Sequence, residues 1–531
     1  MPDGGQRRAR QLQVSERARL PETEIGLADR LIDAARDVLL WAGPLGWLAW
    51  DGRCFRADPD IAHAVNFAKK NLPGLIYDEA AWLGTLSPVS TDQEEAYKGA
   101  PAKSDNQGGT PAEKIRRERR QARLKWQDGI STDRAIKAAL SLARAELEVD
   151  VSALDGDLWG LPVANGRVDL LAAAGWERPE GCTDEEELAA RWSWLGDPRP
   201  DLRPTRCAKV AYDPAAECPA WLAFIALLFP DPAHRAYVQR CLGYLLSGEN
   251  GLAAIFLAEG GGGNGKSVLF AVLRFILGKL VEDVKVEAFL ETRPRDANDA
   301  SPAEVEMRGT RAILASEPSA RAVLDMPYLK ALTGGEERAS RQLHGREFHW
   351  TPRMVPILLL NTRPKLKDAD RGVARRLHIL PFTVDLTALP PEQRREREEV
   401  LAELRAEAPG ILNWLIDGWR DYRARGDLGT PADIEAARDE YVASADPVGR
   451  FLAEMCVRDP SGRIPRPELW EAYQTWWEET GATAQLWSKF EVFRRMREKG
   501  YGEKPVKGTR YFAGLRWAAD TSTATDTGPP F

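Results

Sequence analysis

Residues 260 to 267 read Gly260-Gly261-Gly262-Gly263-Asn264-Gly265-Lys266-Ser267. An apolar run from Leu252 to Ala258 precedes them, and an apolar segment with helical spacing continues from Ser267 to Leu277. A strand, a glycine-rich loop and a helix in this order typify a phosphate-binding loop. The glycines let backbone N–H groups turn toward phosphate oxygens, and the helix start adds its positive end. The stretch therefore predicts a nucleotide site in an α/β fold.

The predicted ligand of this loop is ATP with Mg²⁺. Lys266 is expected to reach the β- and γ-phosphates, and the Ser267 hydroxyl is expected to ligate the metal. A flexible glycine linker, the simpler interpretation, leaves the Lys-Ser pair and the preceding strand unexplained. The predicted nucleotide contacts are Gly260, Gly261, Gly262, Gly263, Asn264, Gly265, Lys266, Ser267 and Val268.

Two later apolar runs end in side chains that suit nucleotide hydrolysis. The run from Arg311 to Ser316 ends at Glu317, and the run from Val355 to Leu360 ends at Asn361. A carboxylate there can hold the water shell of a metal or polarise the attacking water, and an amide can orient that water. Many strand ends and turns look the same, so neither residue is specific alone. Apolar runs that alternate with helices up to about residue 383 predict a parallel sheet.

Two adjacent arginines, Arg375 and Arg376, lie just before another apolar run. Such a pair is commonly surface charge. In a ring-shaped ATPase it can instead reach the γ-phosphate held by the neighbouring subunit, where a fixed guanidinium stabilises developing charge.

Taken in order, these segments resemble one family. The motifs GGGGNGKS, ILASE, LKALTGGEERASRQLHGREF, LLLNTRP and DRGVARRLHILPF look like those of the superfamily-three helicases. The likeness is strongest to the phage and plasmid primase-helicase family that includes the poxvirus nucleoside-triphosphatase. Upstream, GWLAWDGRCF, LPVANGRVDL, AYDPAAECPAWLAFIALLF and YVQRCLGYLLSG resemble the helical domain that precedes the ATPase in that family. The resemblance covers about residues 25 to 382.

The resemblance implies a function and a role for each motif. The chain would be an ATP-dependent DNA helicase with an AAA+-like P-loop core, working as a homo-oligomer, a hexamer, in replication of a phage, prophage or plasmid. Lys266 and Ser267 would be the Walker A residues, Glu317 the Walker B acid and Asn361 the first sensor. Arg375 or Arg376 would be the arginine finger. Many members carry two acids where this chain has Ser316 and Glu317. Glu317 could therefore serve the metal, activate the water or do both, and the sequence does not distinguish these roles.

DNA contacts are predicted in two places. By the resemblance, residues 329 to 348 form a hairpin that faces the channel of the ring and grips a single strand, while the duplex lies at the fork. Contacts to phosphates bind without reading sequence, as a translocating motor requires. The predicted contacts in this segment are Lys330, Arg341, His344 and Arg346.

The second predicted DNA surface lies near the C-terminus. Helices at residues 447–456, 466–480 and 488–499, followed by two strands within 501–515, have the order of a winged helix. Between residues 486 and 516 the chain carries nine Lys and Arg residues and three Glu. This basic balance favours DNA, through Arg494, Arg495 and Arg497. A winged helix that docks a protein is the competing interpretation.

The predicted organisation has six parts. Residues 1–24 and 518–531 are expected to be disordered because they are polar and rich in small residues. A mainly helical domain is expected at 25–250, with a charged insertion near 88–125 whose basic residues form a solvated helix face. The ATPase core is expected at 251–385, a helical extension at 386–445 and the winged-helix domain at 446–517.

Composition narrows the class of protein. The 531-residue chain has a net charge of −7, and 44% of its residues are hydrophobic, as in ordinary globular proteins. Its six cysteines show no CxxC spacing, which argues against a zinc ribbon and favours reduced thiols. No apolar run reaches the roughly 18 residues of a membrane span, and the N-terminus lacks the apolar segment of a signal peptide. A cytoplasmic protein of a bacterial host, with no membrane partner, is expected.

Two other functions remain open at this point. One is a nucleotide-dependent DNA-binding regulator or defence ATPase that does not unwind DNA; the other is a small-molecule kinase, for which neither a lid nor an acceptor-binding acid is visible. A primase centre needs paired carboxylates on a sheet of its own. The spacings at Asp58 and Asp60, and at Asp155 and Asp157, are interpreted as turns, so another chain is expected to supply any priming.

Overall fold

The computed structural model describes residues 11–99, 108–291, 302–319, 322–341, 347–366, 371–479, 486–506 and 508–518. Within these residues, three successive hydrophobic cores lie between Leu27 and Leu147, between Val151 and Ala445, and between Val448 and Leu515. A small cluster around Leu48 and Leu154 lies beside the first two. Among the described helices, none combines the length and apolar character needed to cross a bilayer.

The first core is formed by six helices and a three-stranded antiparallel sheet of order β1-β2-β3. A turn at Asp51 and Gly52 joins β2 to β3. The elements are α1 (Val14–Arg17), α2 (Glu24–Ala35), β1 (Leu39–Trp41), β2 (Trp47–Trp50), β3 (Phe55–Ala57), α3 (Ala62–Thr85), α4 (Thr91–Gly99), α5 (Pro111–Ile130) and α6 (Asp133–Ala143).

Residues 11 to 23 differ from the prediction that residues 1–24 are disordered. Helix α1 lies here, and Arg17 at its end is only 6% exposed. Its guanidinium donates a hydrogen bond to the Asp33 carboxylate at 3.3 Å, which compensates the buried charge. The pairing depends on a residue in the next helix, so the polar composition of the segment does not reveal it. Residues 1–10 lie outside the described part.

The predicted charged insertion near residues 88–125 is folded as α4 and most of α5. Arg123 on α5 is buried rather than solvated, and it donates to Glu79 and, at 2.9 Å, to Glu22. Arg30 on α2 donates to the same Glu79 carboxylate at 2.9 Å. Buried charges are tolerated when they are paired in this way. The expectation of a solvated face therefore fails at Arg123, because α5 packs on α3 through ion pairs.

The large core contains the elements from β4 to α17. The first of them are β4 (Gly160–Val163), β5 (Gly166–Asp169), α7 (Leu170–Gly175), α8 (Asp184–Trp192), β6 (Leu195–Gly196), α9 (Pro219–Leu228), α10 (Pro232–Tyr244), β7 (Ile255–Glu259), α11 (Lys266–Leu277), β8 (Val281–Asp283) and α12 (Pro302–Met307). The others are β9 (Ala312–Ser316), α13 (Met326–Thr333), β10 (Arg338–Arg341), β11 (Glu347–Trp350), β12 (Val355–Leu360), α14 (Arg371–Ala374), β13 (Leu377–Pro381), α15 (Arg397–Ala406), α16 (Ala408–Arg425) and α17 (Ala432–Ser444).

A five-stranded parallel sheet of order β13-β7-β12-β9-β8 forms the centre of this core. Its strands are almost wholly buried, as expected when helices cover both faces. The predicted α/β class and parallel sheet are confirmed. Because all strands run the same way, the loops after β7, β9 and β12 emerge at one edge of the sheet.

The predicted boundary at residue 250 does not separate two cores. Helices α10 and α16 cross where both carry glycine. A Cβ on Gly243 would lie 2.3 Å from the Trp419 backbone nitrogen, and one on Gly418 would lie 2.2 Å from the Gln239 carbonyl oxygen. Trp419 is buried there and donates to the Leu170 carbonyl at 3.1 Å. The segments before and after the sheet are thus packed together, through contacts more than 170 residues apart.

The third core belongs to the C-terminal unit. Its elements are α18 (Pro447–Met455), β14 (Cys456–Pro465), α19 (Arg466–Glu479), α20 (Lys489–Glu498), β15 (Glu503–Val506) and β16 (Thr509–Trp517). The sheet order is β14-β16-β15. Strand β14 is absent from the sequence prediction. Its middle reads Asp459-Pro460-Ser461-Gly462, a turn-like stretch, and the pairing with β16 shifts register between Arg458 and Arg463, so turn residues interrupt the strand pattern.

Candidate functional site

The glycine-rich loop joins the end of β7 to the start of α11, as predicted. Gly263 and Gly265 have φ values of 72° and 75°, a region that residues with a side chain rarely adopt. A Cβ on Gly260 would lie 2.2 Å from the Phe382 carbonyl oxygen. Around Gly261 and Gly262, by contrast, the described residues leave open space. The ends of the loop are therefore closely packed against neighbouring atoms, whereas its middle borders open space.

Lys266, the first residue of α11, points back into the loop. Its ammonium group donates to the carbonyl oxygens of Gly260 at 2.6 Å and Leu360 at 2.5 Å, and to Asn361 Oδ1 at 3.2 Å. Burial lowers the pKa of Lys266, while the charges of Glu317 and Glu259 oppose that shift. All three ammonium protons thus have acceptors at the place where the loop would hold phosphates.

The segment after β13 holds the loop from the other side. Asn264 is buried; its amide donates to the Phe382 carbonyl at 3.3 Å, and its Oδ1 accepts from the Lys266 N–H at 3.3 Å. The Leu386 N–H donates to the Gly263 carbonyl at 2.9 Å. These backbone contacts preorganise the loop, because they fix its shape without a ligand.

Glu317 follows β9 directly and is exposed at the same sheet edge. Its N–H donates to the Leu359 carbonyl of β12 at 3.0 Å, and its charge acts on Lys266. The backbone of Glu317 has φ 60°, which is unusual for a residue with a side chain and is found disproportionately at functional sites. The structure therefore brings the predicted acid beside the predicted lysine and Asn361.

An ion pair beside the loop was missed from the sequence. Arg363 donates to both oxygens of Glu259, at 2.7 and 2.9 Å, and stacks over Tyr441. Glu259 is the last residue of β7 and pairs in register with Leu360 of β12. The signal was present, since Glu259 ends one apolar run and Arg363 lies three residues beyond the end of another. Without the strand order, however, the pairing could not be deduced.

Arg375 and Arg376 lie at the opposite edge of the sheet. The Arg376 carbonyl accepts from the N–H of Ile255, the first residue of β7, whereas the loop follows the last residue of that strand. With five residues in β7, the two edges are about 13 Å apart at ~3.3 Å per residue. Arg375 is exposed, and Arg376 donates to the Gly372 carbonyl at 2.8 Å. Neither arginine joins the loop of its own chain.

The residues around the loop fit ATP with Mg²⁺. The open space at Gly261 and Gly262 meets the N-terminus of a 12-residue helix, where backbone N–H groups and the helix dipole favour phosphate. Ser267 and Glu317 supply oxygen atoms, which Mg²⁺ prefers. In the described part of the chain, no cluster of three or more His, Cys, Asp or Glu forms a metal cage. Mg²⁺ in nucleotide sites is commonly held by one or two side chains together with phosphates.

Two known families match the chain. The description "D5 N terminal like" covers residues 28–230, and "Poxvirus D5 protein-like" covers residues 443–500. The chain is thus similar to D5-like proteins in its N-terminal part and in part of its C-terminal unit. The resemblance to the poxvirus and phage helicase family, stated from the motifs, is thereby confirmed.

The curated relatives that match this chain are viral proteins. "Putative helicase L207/L206" of Acanthamoeba polyphaga mimivirus is 27% identical over 269 residues, which are 48% of this chain and 28% of the relative. "Putative helicase 022R" of Frog virus 3 is 25% identical over 267 residues, 48% of this chain and 27% of the relative. The chain thus spans little more than a quarter of their length. Among solved structures, the NrS-1 C-terminal region matches with a TM-score of 0.39 and 16% identity, over 57% of this chain and 77% of that chain.

The predicted hairpin is formed by β10 and β11, which pair from Arg338 with Trp350 to Arg341 with Glu347. Its tip, residues 342–346 with His344 and Arg346, lies outside the described residues. The base is anchored by buried Glu304, which accepts hydrogen bonds from Arg338 at 2.8 Å and from Tyr328 at 3.1 Å. Lys330 lies on α13, and Arg341 is exposed at the end of β10.

The three arginines predicted on α20 are not equivalent. Arg494 pairs with Glu498 at 2.6 Å, and Arg497 pairs with Glu503 at 2.7 Å; both remain nearly half exposed. The Arg495 side chain is only 16% exposed and lies 3.6 Å from Asp446. Arg495 therefore contributes to the packing of the C-terminal unit, which the count of charges along the sequence could not reveal.

Proposed function

We propose that this chain is an ATP hydrolase that drives DNA unwinding as a homo-oligomeric ring. The observation that supports it most is the assembly of Lys266, Asn361 and Glu317 at one sheet edge beside a preorganised phosphate loop. An ammonium group, an amide and a carboxylate lie together where a γ-phosphate would bind, although they are up to 95 residues apart in the sequence. The viral relatives named as helicases support the same activity.

Each group has a task in hydrolysis. Lys266 exchanges its carbonyl acceptors for the β- and γ-phosphate oxygens of bound ATP and offsets their charge. Asn361 then positions the attacking water, and Glu317 accepts a proton from that water. Mg²⁺, bound by Ser267 with the nucleotide, would neutralise phosphate charge. The contact of Lys266 with Asn361 before ATP binds keeps the amide aimed at the site.

The ring follows from the position of the arginines. A guanidinium that stabilises the γ-phosphate must come within hydrogen-bonding distance of it. Arg375 and Arg376 lie about 13 Å from the loop of their own chain, along a strand rising ~3.3 Å per residue. This placement supports the proposal that they act on nucleotide held by a neighbouring copy. A head-to-tail ring supplies that neighbour to every subunit, and we propose a hexamer with exposed Arg375 as the finger.

DNA is proposed to contact two units. The β10–β11 hairpin, anchored through Glu304, carries Arg341 and Arg346 toward a single strand in the channel. The C-terminal unit has the helix–strand–helix–helix–strand–strand order of a winged helix, which supports a second contact through Arg494 and Arg497 on α20. We propose 151–445 as the motor and 447–517 as the loading unit, with 11–147 as an accessory domain.

The biological setting is proposed to be replication of a mobile or viral genome. The relatives named above come from viruses of eukaryotes, so the phage, plasmid and bacterial-host assignments stay predictions from the motif resemblance.

The decisive experiment measures ATP hydrolysis and strand displacement on a forked duplex in the same preparation. We expect hydrolysis to rise with single-stranded DNA and the fork to be separated only with ATP and Mg²⁺. Glu317→Gln should lose both activities, and Glu306→Gln, which changes an exposed acid on α12 before the start of β9, should keep both. DNA-stimulated hydrolysis without displacement would favour the non-unwinding regulator. Hydrolysis indifferent to DNA would remove DNA from the function altogether.

A further inference from the structure

A cleft rich in arginine lies at the edge of the parallel sheet opposite the phosphate loop. Arg311 immediately precedes β9, and Arg353 lies two residues before β12. Arg53, from the β2–β3 turn, reaches the same cleft from the N-terminal unit. Six residues of extended chain separate Arg311 from Glu317 at the other edge, which is roughly 20 Å. The cleft is therefore distinct from the nucleotide site.

The charges in the cleft do not balance. Seven arginines and two aspartates line it. Four of the arginines are paired with carboxylates: Arg167 with Asp157 and Asp169, Arg199 with Asp201, Arg206 with Glu282, and Arg308 with Asp155. Seven guanidinium groups thus face five carboxylates, which leaves an excess of two positive charges among the described residues.

The excess is carried by arginines that have no carboxylate partner in the described ranges. Arg311 is 7% exposed, and its hydrogen bonds go to the carbonyl oxygens of Asp157, Leu158 and Gly160. Arg353 donates only to the carbonyls of Asp155 and Gly156. Burial lowers the pKa of Arg311 to about 10, a sign of the cost of keeping this charge away from water.

The nearest carboxylate is already engaged. Asp155 accepts from the Thr205 N–H at 2.6 Å, from the Thr205 hydroxyl at 2.7 Å and from Arg308 at 2.8 Å. It therefore has little capacity left for Arg353 or Arg311. A partly desolvated cluster with more guanidinium groups than carboxylates is costly unless an anion completes it. Carbonyl contacts satisfy some N–H groups, yet each arginine has five, so donors remain.

We propose that this cleft binds a terminal phosphate group, between the N-terminal unit and the sheet. A phosphate monoester carries close to two negative charges near neutral pH, which equals the excess in the cleft. Its oxygens suit guanidinium forks arriving from several directions. Arg53, Arg311 and Arg353 are the anion contacts. The phosphate can come from a small phosphorylated molecule or from the 5′ end of a DNA strand.

The test uses full-length Lys266→Ala, in which phosphate cannot engage the lysine of the nucleotide loop. Isothermal titration with inorganic phosphate at low salt should give saturable binding, with a dissociation constant of about 1 mM or lower. Adding Arg53→Gln and Arg353→Gln should weaken it at least about tenfold. The control pair Arg395→Gln and Arg397→Gln, exposed on and before α15, should leave binding unchanged.

Two further measurements identify the source of the phosphate and test whether the variants remain folded. A short 5′-phosphorylated oligonucleotide should outcompete its 5′-hydroxyl counterpart if DNA ends are the ligand. Failure of both to compete, with inorganic phosphate still bound, assigns a small molecule, whereas equal competition by both would mean that the cleft binds internal phosphodiesters and would contradict the proposal. The single change Arg53→Gln affects a turn residue and leaves the hydrogen bonds from Arg311 and Arg353 to backbone carbonyls in place. Thermal unfolding of this variant should therefore match that of Lys266→Ala, while its phosphate binding weakens. Absence of saturable binding, or binding indifferent to Arg53 and Arg353, overturns the proposal.

Discussion

The ammonium nitrogen of Lys266 lies 3.2 Å from Oδ1 of Asn361. The two residues follow different strands, β7 with its loop and β12, which are neighbours in the sheet. The contact joins the residue that would bind phosphate to the residue that would orient water. Because the same ammonium also holds the carbonyls of Gly260 and Leu360, Lys266 serves both the site and the local structure.

Replacing Lys266 by Ala should abolish ATP hydrolysis, because the phosphate charge loses its main counter-charge. The buried hydrogen bonds are lost as well, so a modest loss of stability, about 1 kcal/mol, is expected. Steady-state hydrolysis and thermal unfolding measure the two effects. Lys279→Ala, an exposed lysine paired with Glu282, is the control. Near-normal turnover in Lys266→Ala would refute the site.

Replacing Asn361 by Ala should lower hydrolysis by about 10²-fold, the scale of one positioning group, while ATP still binds. Asn361→Asp should instead hold Lys266 through a charge and weaken ATP binding. Nucleotide titrations and single-turnover rates distinguish the two results. Asn71→Ala, whose amide bonds only the Phe67 carbonyl in the described structure, should behave as wild type. Equal loss of binding in both Asn361 variants would argue for a purely structural role.

Arg375→Ala should inactivate hydrolysis without changing the fold, since the side chain is exposed. Mixing this variant with wild-type subunits should reduce activity more steeply than dilution predicts, because each inactive finger also disables a neighbour. Wild-type activity should rise more than linearly with protein concentration. Arg376→Ala should also lower stability through its lost bond to Gly372. Full activity of a dilute monomer would exclude the ring.

Neutralising the hairpin and the C-terminal unit should have different effects on DNA. Arg341→Gln with Arg346→Gln should keep basal hydrolysis and lose DNA stimulation and unwinding. Arg494→Gln with Arg497→Gln should weaken DNA binding and flatten its salt dependence, because fewer counterions are released. Arg495 is left intact, since it packs near Asp446. Binding isotherms at several salt concentrations and fork displacement are the measurements. Proportional loss of both activities in both variants would mean one continuous DNA track.

Stability should fall in mild acid because of His378. Burial, with a smaller effect of Arg438, lowers the pKa of His378 to about 4, and in the described structure neither ring nitrogen has a hydrogen-bond partner. The unfolded chain, with an ordinary pKa of about 6.5, binds the proton first. The contribution of His378 is therefore complete above pH 6.5 and is lost as pH falls toward 4.

Between pH 7 and pH 5 this loss amounts to about 2 kcal/mol. Chemical unfolding of wild type and His378→Leu at both pH values should reveal this loss, because the unfolding free energy of the variant should depend less on pH. His349 is exposed, so His349→Gln should show the same pH dependence of the unfolding free energy as the wild type. A His378→Leu protein with unchanged pH dependence would contradict the assignment.

Sequence alone determined the elements that depend on neighbouring residues. The order of strand, glycine loop and helix around Lys266 follows from local apolar runs and from glycines that permit positive φ. The ends of β9 and β12, at Glu317 and Asn361, follow from where apolar runs stop. The motif order also identified the family. Such signals are readable because backbone conformation responds mainly to residues a few positions away.

Only the tertiary structure decided which distant side chains meet. The Arg363–Glu259 pair, the burial of Arg123 and Arg17, the inward position of Arg495 and the arginine cleft all join residues from separate elements. Cys54 and Cys207, 153 positions apart, likewise have sulfur atoms 3.2 Å apart. A charged residue looks solvated in a sequence pattern; whether it is buried depends on the partner that packing brings to it. That partner is set by strand order and helix crossing, which no local pattern encodes.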